Sequence, residues 1–296
     1  MSGISVIIVT YNSGRLIGGC LDSLIAQKDV GFDLIVVDNC SADDTLEIVR
    51  RKMPGARVIS NKVNGGFSRG VNQGIALSKA ENILLLNGDV ILRDDFISSL
   101  KEALPRLPKN TVMASPKIIA MDKQHIDSTG LVFSWMRRFY DRGQGAIDTG
   151  QFDHRPDIFG PCAAAGVYSR KMLEDIKING EYFDEDFFLL IEDFDIAWRA
   201  RRRGWKAVFL PQLVCYHHGG ISRRRSPIAQ YYSFRNRYLL LIKNAGVTEW
   251  LRLVLFFSVY EFPRLVYLLA TNPGTLKALK ELRELFPKML RKRKLD

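Results

Sequence analysis

Polar residues suited to holding a ligand recur at the ends of short apolar runs. Thr10-Tyr11-Asn12 follows Ile4 to Val9, Asp38-Asn39 follows Leu34 to Val37, Asn61 to Asn64 follows Arg57 to Ser60, and Asn87-Gly88-Asp89 follows Ile83 to Leu86. Any one of these clusters is ordinary turn chemistry, since Asn, Asp and Gly populate turns. Four in succession on one edge of a parallel sheet describe a cleft beyond the carboxyl ends of the strands. The segment Asn64-Gly65-Gly66-Phe67-Ser68-Arg69-Gly70 leads into a helix containing Asn72. Its glycines allow close backbone approach, and a helix N-terminus favours an anion. It matches neither the dinucleotide fingerprint nor the P-loop; a nucleotide or sugar diphosphate stays open as a ligand, on a signal that is weak alone. Glu192-Asp193 follows the apolar run Phe187 to Ile191. First-turn carboxylates complement a helix dipole by roughly 0.3–1 kcal/mol, and the alternative is a general base at the mouth of the cleft. His217-His218 follows a strand and precedes Gly219-Gly220. A lone histidine is usually structural, and the alternative is one that completes a metal site with Asp89.

The elements that must position these groups alternate. Strands at Ile4–Val9, Leu34–Val37, Arg57–Ser60, Ile83–Leu86 and Thr111–Ala120 are separated by stretches with helical spacing, including Leu16, Cys20, Leu21, Leu24 and Ile25. Ser41 with Asp44 reads as a capping box opening a helix through Leu46, Ile48 and Val49. Further helices are predicted over 71–78 and 94–104. This alternation predicts an α/β fold around a doubly wound, mostly parallel sheet with flanking helices. Residues 121–158 are polar and weakly periodic and read as one long excursion. Asp193–Arg203 reads as a helix stopped by Gly204, then comes a strand over Trp205–Leu210 and a helix over 229–243.

The 296 residues, 47% hydrophobic and 25% charged, have the composition of a folded globular chain and exclude disordered, collagenous and disulfide-stapled classes. Lys and Arg number 43 against 32 Asp and Glu, a net charge of +11, which calls for an anionic partner. The excess is localised. Eleven basic residues and no acidic one lie between Ile196 and Thr248, directly after a stretch, Glu181 to Asp195, with seven acidic residues and no basic one. The juxtaposition points to an ionic site, the alternative being two solvated faces. Basic residues are not interleaved with an aromatic stacking motif, and no common nucleic-acid signature is present. Cys20, Cys40, Cys162 and Cys215 form neither a C-x-x-C pair nor a zinc spacing and read as thiols in a reducing compartment. The apolar run that begins at Ile4 has no basic leader or cleavage site, so no signal peptide is expected.

Leu251 to Ala270 is strongly apolar but interrupted by Arg252, Glu261, Pro263 and Arg264, too short a run to span a bilayer. With Arg291, Lys292, Arg293 and Lys294 behind it, it suits a segment lying in the plane of an anionic membrane surface. The alternative is a helical hairpin packed on the main domain.

The ordered set of motifs resembles family 2 glycosyltransferases of the GT-A fold, in their rhamnosyltransferase-like branch. It comprises Ser5 to Asn12, Ile35 to Asn39, Asn64 to Asn72, Leu84 to Asp89, Phe183 to Trp198, His217 to Ser222 and Arg235-Asn236. The resemblance implies a domain over 1–243, with a nucleotide-sugar half (1–120) and an acceptor and catalytic half (121–243), and a helical, basic extension over 244–296. It implies that Thr10, Tyr11, Asn12 and Asp38 hold base and ribose, that Asn64, Gly66, Arg69 and Asn72 line the nucleotide-sugar pocket, and that Asn87, Gly88 and Asp89 form the family's Asp-x-Asp site. It further implies Asp193 as catalytic base with Glu192 beside it, and a Mg2+ or Mn2+ ion on Asp89 and His217, with His218 the fallback. Asn87 replaces the first aspartate, which removes one carboxylate ligand. The implied activity is inverting transfer from a nucleotide sugar, dTDP-rhamnose by branch, to a glycan or lipid-linked acceptor in cell-surface polysaccharide synthesis. The implied place is the cytoplasmic face of the cell membrane. The alternatives are a UDP-sugar donor and a non-catalytic nucleotide-sugar-binding member of the fold.

Overall fold

The computed structural model describes residues 3–27, 31–134, 138–219 and 226–295. Four apolar strands form the parallel half of the sheet: β1 (Ile4–Thr10), β2 (Asp33–Asp38), β3 (Arg57–Ser60) and β4 (Asn82–Asn87), in the order β3-β2-β1-β4. Because side chains alternate along a strand, each run serves two cores. Val6 and Ile8 of β1, Val36 of β2 and Leu84 and Leu86 of β4 meet helices α1 (Gly14–Ile25), α2 (Thr45–Lys52) and α4 (Phe96–Ala103). Ile7, Ile35, Val37, Ile83 and Leu85 meet α3 (Gly66–Leu77), α5 (Arg170–Asp175) and α6 (Glu192–Arg202) on the opposite face. The approach of α3 is close: a Cβ on Gly74 would lie 2.4 Å from Ile7, and one on Gly70 would lie 2.6 Å from Val9.

The other half of the sheet is mixed rather than parallel throughout. β6 (Thr111–Ala120) runs parallel to β12 (Lys206–His217), but the short β11 (Val167–Ser169) lies antiparallel between β4 and β6. The chain enters β11 from the far end of an excursion, so it runs against both neighbours. β5 (Val90–Leu92) pairs with the end of β12. The excursion over 121–158 is not one loop. It holds β7 (Ile126–Ser128) on β6, the hairpin β8 (Leu131–Phe133) and β9 (Phe139–Asp141), and β10 (Asp157–Ile158) on β12. Their three-residue lengths are too short to leave a periodic signal. β12 extends past the expected Leu210 because a register shift between Leu210 and Val214 absorbs Pro211.

The expected capping box does not form. Helix α2 starts at Thr45, and Ser41 is engaged elsewhere. Helix α3 begins at Gly66, five residues before the predicted start. Beyond the sheet come α7 (Pro227–Asn244), α8 (Val247–Leu255), a π-helical turn (Phe257–Glu261), α9 (Phe262–Thr271) and α10 (Gly274–Leu295). Helix α10 folds back on α7, with Ala278 beside Phe234 and Leu268, and Met289 in the main core. No single described helix is long and apolar enough to cross a membrane, and α8 and the 257–271 segment meet at a 58° bend.

Candidate active site

Register brings the polar strand ends together. Thr10 lies opposite Asp38, Asp38 opposite Ser60, and Val9 opposite Asn87. The loops beyond are tied to one another. Asn12, at φ 47°, donates its amide to Ser41 Oγ (2.8 Å) and accepts from the Ala42 amide (2.8 Å). Ser41 donates its hydroxyl and its amide to the two oxygens of Asp38. Tyr11 stands 51% exposed above this edge, and the hydroxyl of buried Thr10 finds no hydrogen-bond partner among the described residues. The Asn39 side chain donates to Gly66 O (2.9 Å), and Asn64 Oδ1 accepts from the Gly66 amide (2.9 Å). Gly66 has φ +83°, and any Cβ there would sit 2.6 Å from Phe188 O, so glycine is required. Arg69 is exposed beside it.

Asn72 does not line this rim. Its side-chain oxygen accepts from the Tyr182 and Phe183 amides, and its NH2 donates to Phe183 O and Glu185. All its capacity braces the 182–185 segment, which corrects the expectation that it faces the donor.

Asp89, just past β4 and Gly88, meets the end of β12 because β5 pairs Val90 with His217. Asp89 Oδ1 lies 3.3 Å from His217 Nε2, and Asp127 of β7 lies 2.7 Å from Nδ1. Burial disfavours the imidazolium, but the hydrogen bonds and charges of Asp127 and Asp89 outweigh it and raise His217 to about 9. His218 is fixed by its amide to Asp89 O (3.0 Å). Among the described residues no three His, Cys, Asp or Glu side chains surround a common point. The donors suit a hard divalent ion, completed by phosphate oxygens and water, once that ion displaces the proton from His217 Nε2: one carboxylate oxygen, and one imidazole nitrogen oriented from behind by a second carboxylate.

Glu192 and Asp193 open α6 behind an unusual turn. Phe188, Leu190 and Ile191 all have positive φ (62°, 69° and 72°), and none is glycine. Such residues cost about 1–3 kcal/mol each and persist only where surroundings over-determine them. Here α7 does so. The two N–H groups of Asn236 Nδ2 are shared among Phe187 O, Leu189 O and Leu190 O at 2.7–2.8 Å, and Arg235 donates to Asp186 O and Phe187 O. Asp193 accepts from the Phe194 amide (2.9 Å) and the Ala163 amide (3.3 Å). Glu192 is buried. Desolvation, then the charges of Asp193 and Asp195, raise its carboxyl well above the usual range. A cavity of about 510 Å3 brings Asp193 and Glu192 together with Asn87, His217 and Asp127. Thr10, Tyr11, Asp38 and Arg69 lie on the strand-end rim outside its lining.

The model of "Glycosyl transferase family 2" matches residues 5–177, more than half of the chain. The chain belongs to glycosyl transferase family 2. Among curated relatives of this family 2 chain is the poly-beta-1,6-N-acetyl-D-glucosamine synthase of Staphylococcus epidermidis, 23% identical over 73% of this chain and 50% of that protein. The chain thus spans about half the length of that relative. The N-acetylglucosaminyl-diphospho-decaprenol L-rhamnosyltransferase of Mycobacterium tuberculosis is 25% identical over 75% of this chain and 78% of its own length. Among solved structures, a mannosyltransferase from Pyrobaculum calidifontis in complex with GDP-Man and Mn2+ superposes with a TM-score of 0.58 at 15% identity, over 99% of this chain and 84% of that one. The fold of this family 2 chain is accordingly GT-A.

Several functional supports were invisible in sequence. Asp127 sits in the weakly periodic excursion. The acidic stretch and the basic residues after it divide: Arg201, Arg202, Arg203 and Lys206 are exposed, whereas Arg199 and Lys243 pair with the acidic stretch in the interior. Lys243 bonds Asp184 and Asp195 (2.8 Å each), Arg199 bonds Asp195 (3.0 Å), and Lys292 of α10 bonds Asp184 (2.5 Å) and Asp186 (2.9 Å). The opposed charge runs carried the signal, but not the pairing. Arg223, Arg224 and Arg225, with Gly220 and Ser222, lie outside the described residues.

Proposed function

We propose that this family 2 chain is an inverting glycosyltransferase that moves a sugar, rhamnose from dTDP-rhamnose by branch, from a nucleotide-sugar donor to a glycan or lipid-linked acceptor in cell-surface polysaccharide synthesis. The observation that carries the reading is the shared cavity: Asp193 faces the same space as Asn87 and His217, so a base from the second half meets the rim of the first. Tyr11 and Thr10, with Asp38 below, would hold the nucleoside, and Asn64, Gly66 and Arg69 would flank the sugar diphosphate. Asp193 takes the proton of an acceptor hydroxyl as its oxygen attacks the anomeric carbon, and the nucleoside diphosphate leaves from the opposite face. Asp89 and His217 would hold Mg2+ or Mn2+, with His218 behind them, and the ion would supply positive charge at the leaving diphosphate. With Asn87 in place of a carboxylate, that ion would be held more weakly.

The rhamnosyltransferase relative and the nucleotide-sugar complex of the mannosyltransferase support the donor class. A place against the anionic cytoplasmic membrane face is supported by exposed Val247, Leu251, Val254, Leu255, Phe257 and Val259. The test is transfer of radiolabelled sugar from a panel of nucleotide sugars, with melting-temperature shifts for each donor with and without Mn2+. Donor-dependent stabilisation with transfer is expected. Stabilisation without transfer to any acceptor would favour the non-catalytic reading.

A further inference from the structure

We propose that Arg138, Arg237 and Arg264 form an anion subsite in the cavity wall that takes a phosphate of the acceptor, so that the accepting sugar is one carried on a phosphodiester or diphosphate. The inference rests on the glycosyltransferase reading and names the substrate class of that same site.

All three guanidinium groups line the cavity that contains Asp193. Arg138 lies 4.8 Å and Arg237 5.8 Å from the centre of the Tyr260 ring, and Arg264 lies 5.7 Å from that of Phe234. Asp127, Asp141 and Asp193 also line the cavity, and the carboxylate seen bonded to this cluster is Glu261, which is already committed. One oxygen takes Arg237, and the other accepts from the Tyr238 hydroxyl (2.5 Å). Neither Arg138 nor Arg264 makes an ion pair with a described residue. Nη1 of Arg264 is enclosed and has no hydrogen-bond partner among them. Arg237 is 3% exposed, and burial and the charge of Arg264 draw its guanidinium below its ordinary range.

Like charges gathered in a partly desolvated wall are costly unless an anion offsets them. Planar N–H forks match phosphate oxygens in geometry as well as charge. The acceptor is favoured over the donor because the wall shares its cavity with the base, to which the accepting hydroxyl must come. The rim residues assigned to the nucleoside do not line it. Tyr260 and Arg264 are also flanked in the chain by exposed Phe257, Val259 and Phe262, an apolar surface fit for a hydrocarbon tail beyond the phosphate.

An anionic lipid headgroup offers the same chemistry, so the experiment carries an arm for each source. Two soluble acceptors bear the same sugar, one joined through a diphosphate to a short alkyl chain, the other an uncharged alkyl glycoside. The full chain, Arg264→Gln and Arg138→Gln are compared for kcat/KM on both acceptors, for calorimetric binding of the diphosphate acceptor without donor, and for partitioning onto phosphatidylglycerol against phosphatidylcholine vesicles. Arg138 is exposed, so its variant keeps the test alive if Arg264→Gln lowers the melting temperature. The preference for the diphosphate acceptor should fall about tenfold in each variant, with a similar loss of calorimetric binding. Equal losses on both acceptors, or undiminished calorimetric binding, overturn the subsite. Reduced partitioning onto phosphatidylglycerol with the acceptor preference intact overturns it in favour of a headgroup site. If no sugar is transferred to either acceptor while calorimetric binding still falls in the variants, the subsite stands and the transferase reading fails.

Discussion

Two adjacent carboxyl groups sit in opposed environments. Glu192 is buried, with Oε2 lacking a hydrogen-bond partner among the described residues, and desolvation and the charges of Asp193 and Asp195 push its carboxyl upward. Asp193 is half-buried, accepts from two backbone amides, and faces the cavity. Neighbouring acids in such different surroundings can divide the roles of base and support. Asp193→Asn should therefore fold with a near-native melting temperature and lose about 10²–10⁴-fold in kcat, the usual contribution of a positioned base. Glu192→Gln keeps the side chain's shape and should lose at least tenfold less; steady-state kinetics on both variants decides. Asn72→Ala should act on stability instead. It strips two buried amides of their acceptor, at about 1–3 kcal/mol each before relaxation, readable by urea denaturation. At this scale the sequence was legible where polar residues end strands, because backbone register alone gathers Thr10, Asp38 and Asn87. It misled at Asn72, because a helix position says nothing about which distant backbone an amide will meet.

The element that decides where the base sits is the 188–191 turn, and it is held from outside itself. The strain of three positive-φ residues is set against the three carbonyls gathered by Asn236. Asn236→Ala should release the turn and lower kcat more than donor affinity, with Asp193 intact. If strain is the reason, glycine at a strained position restores what the clamp maintained, since glycine takes positive φ without penalty. The double variant Asn236→Ala/Leu190→Gly should regain part of the lost kcat. A double variant no more active than the single one would mean that the clamp acts by another route. The helices and parallel strands were readable from period and caps. The turn was not, because Phe188 to Ile191 is an ordinary apolar run whose conformation is imposed by a helix more than forty residues later.

Across the whole molecule a buried ionic lattice joins distant parts of the chain. Asp184 and Asp195 are almost fully enclosed, and both stay below the ordinary carboxylate range. Burial opposes this, and the lysines at 243 and 292, with Arg199, more than reverse it. Both carboxylates bind protons more weakly folded than unfolded, so the unfolded chain takes up protons first as the pH falls. Their contribution to stability is present above about pH 4 and is lost below it. Melting temperature against pH should show that loss, and Lys243→Met should lower stability by about 3–5 kcal/mol at pH 7 by leaving enclosed carboxylates uncompensated. The sequence announced opposed charge runs. It did not say that Arg199 and Lys243 would meet the acidic run inside, because burial is decided by the docking of α7 and α10, which no local pattern encodes.

That lattice also orders events in time. The Lys292–Asp184 bond closes a loop of 108 residues, whereas β1 pairs with β2 (Ser5 with Asp33) and β2 with β3 (Ile35 with Arg57) across far shorter stretches of chain. Contacts that distant form late, since chain entropy must be surrendered before they can reward it. On dilution from denaturant, helical circular dichroism should therefore return before catalysis does, and the lag should disappear when α10 is docked from the outset.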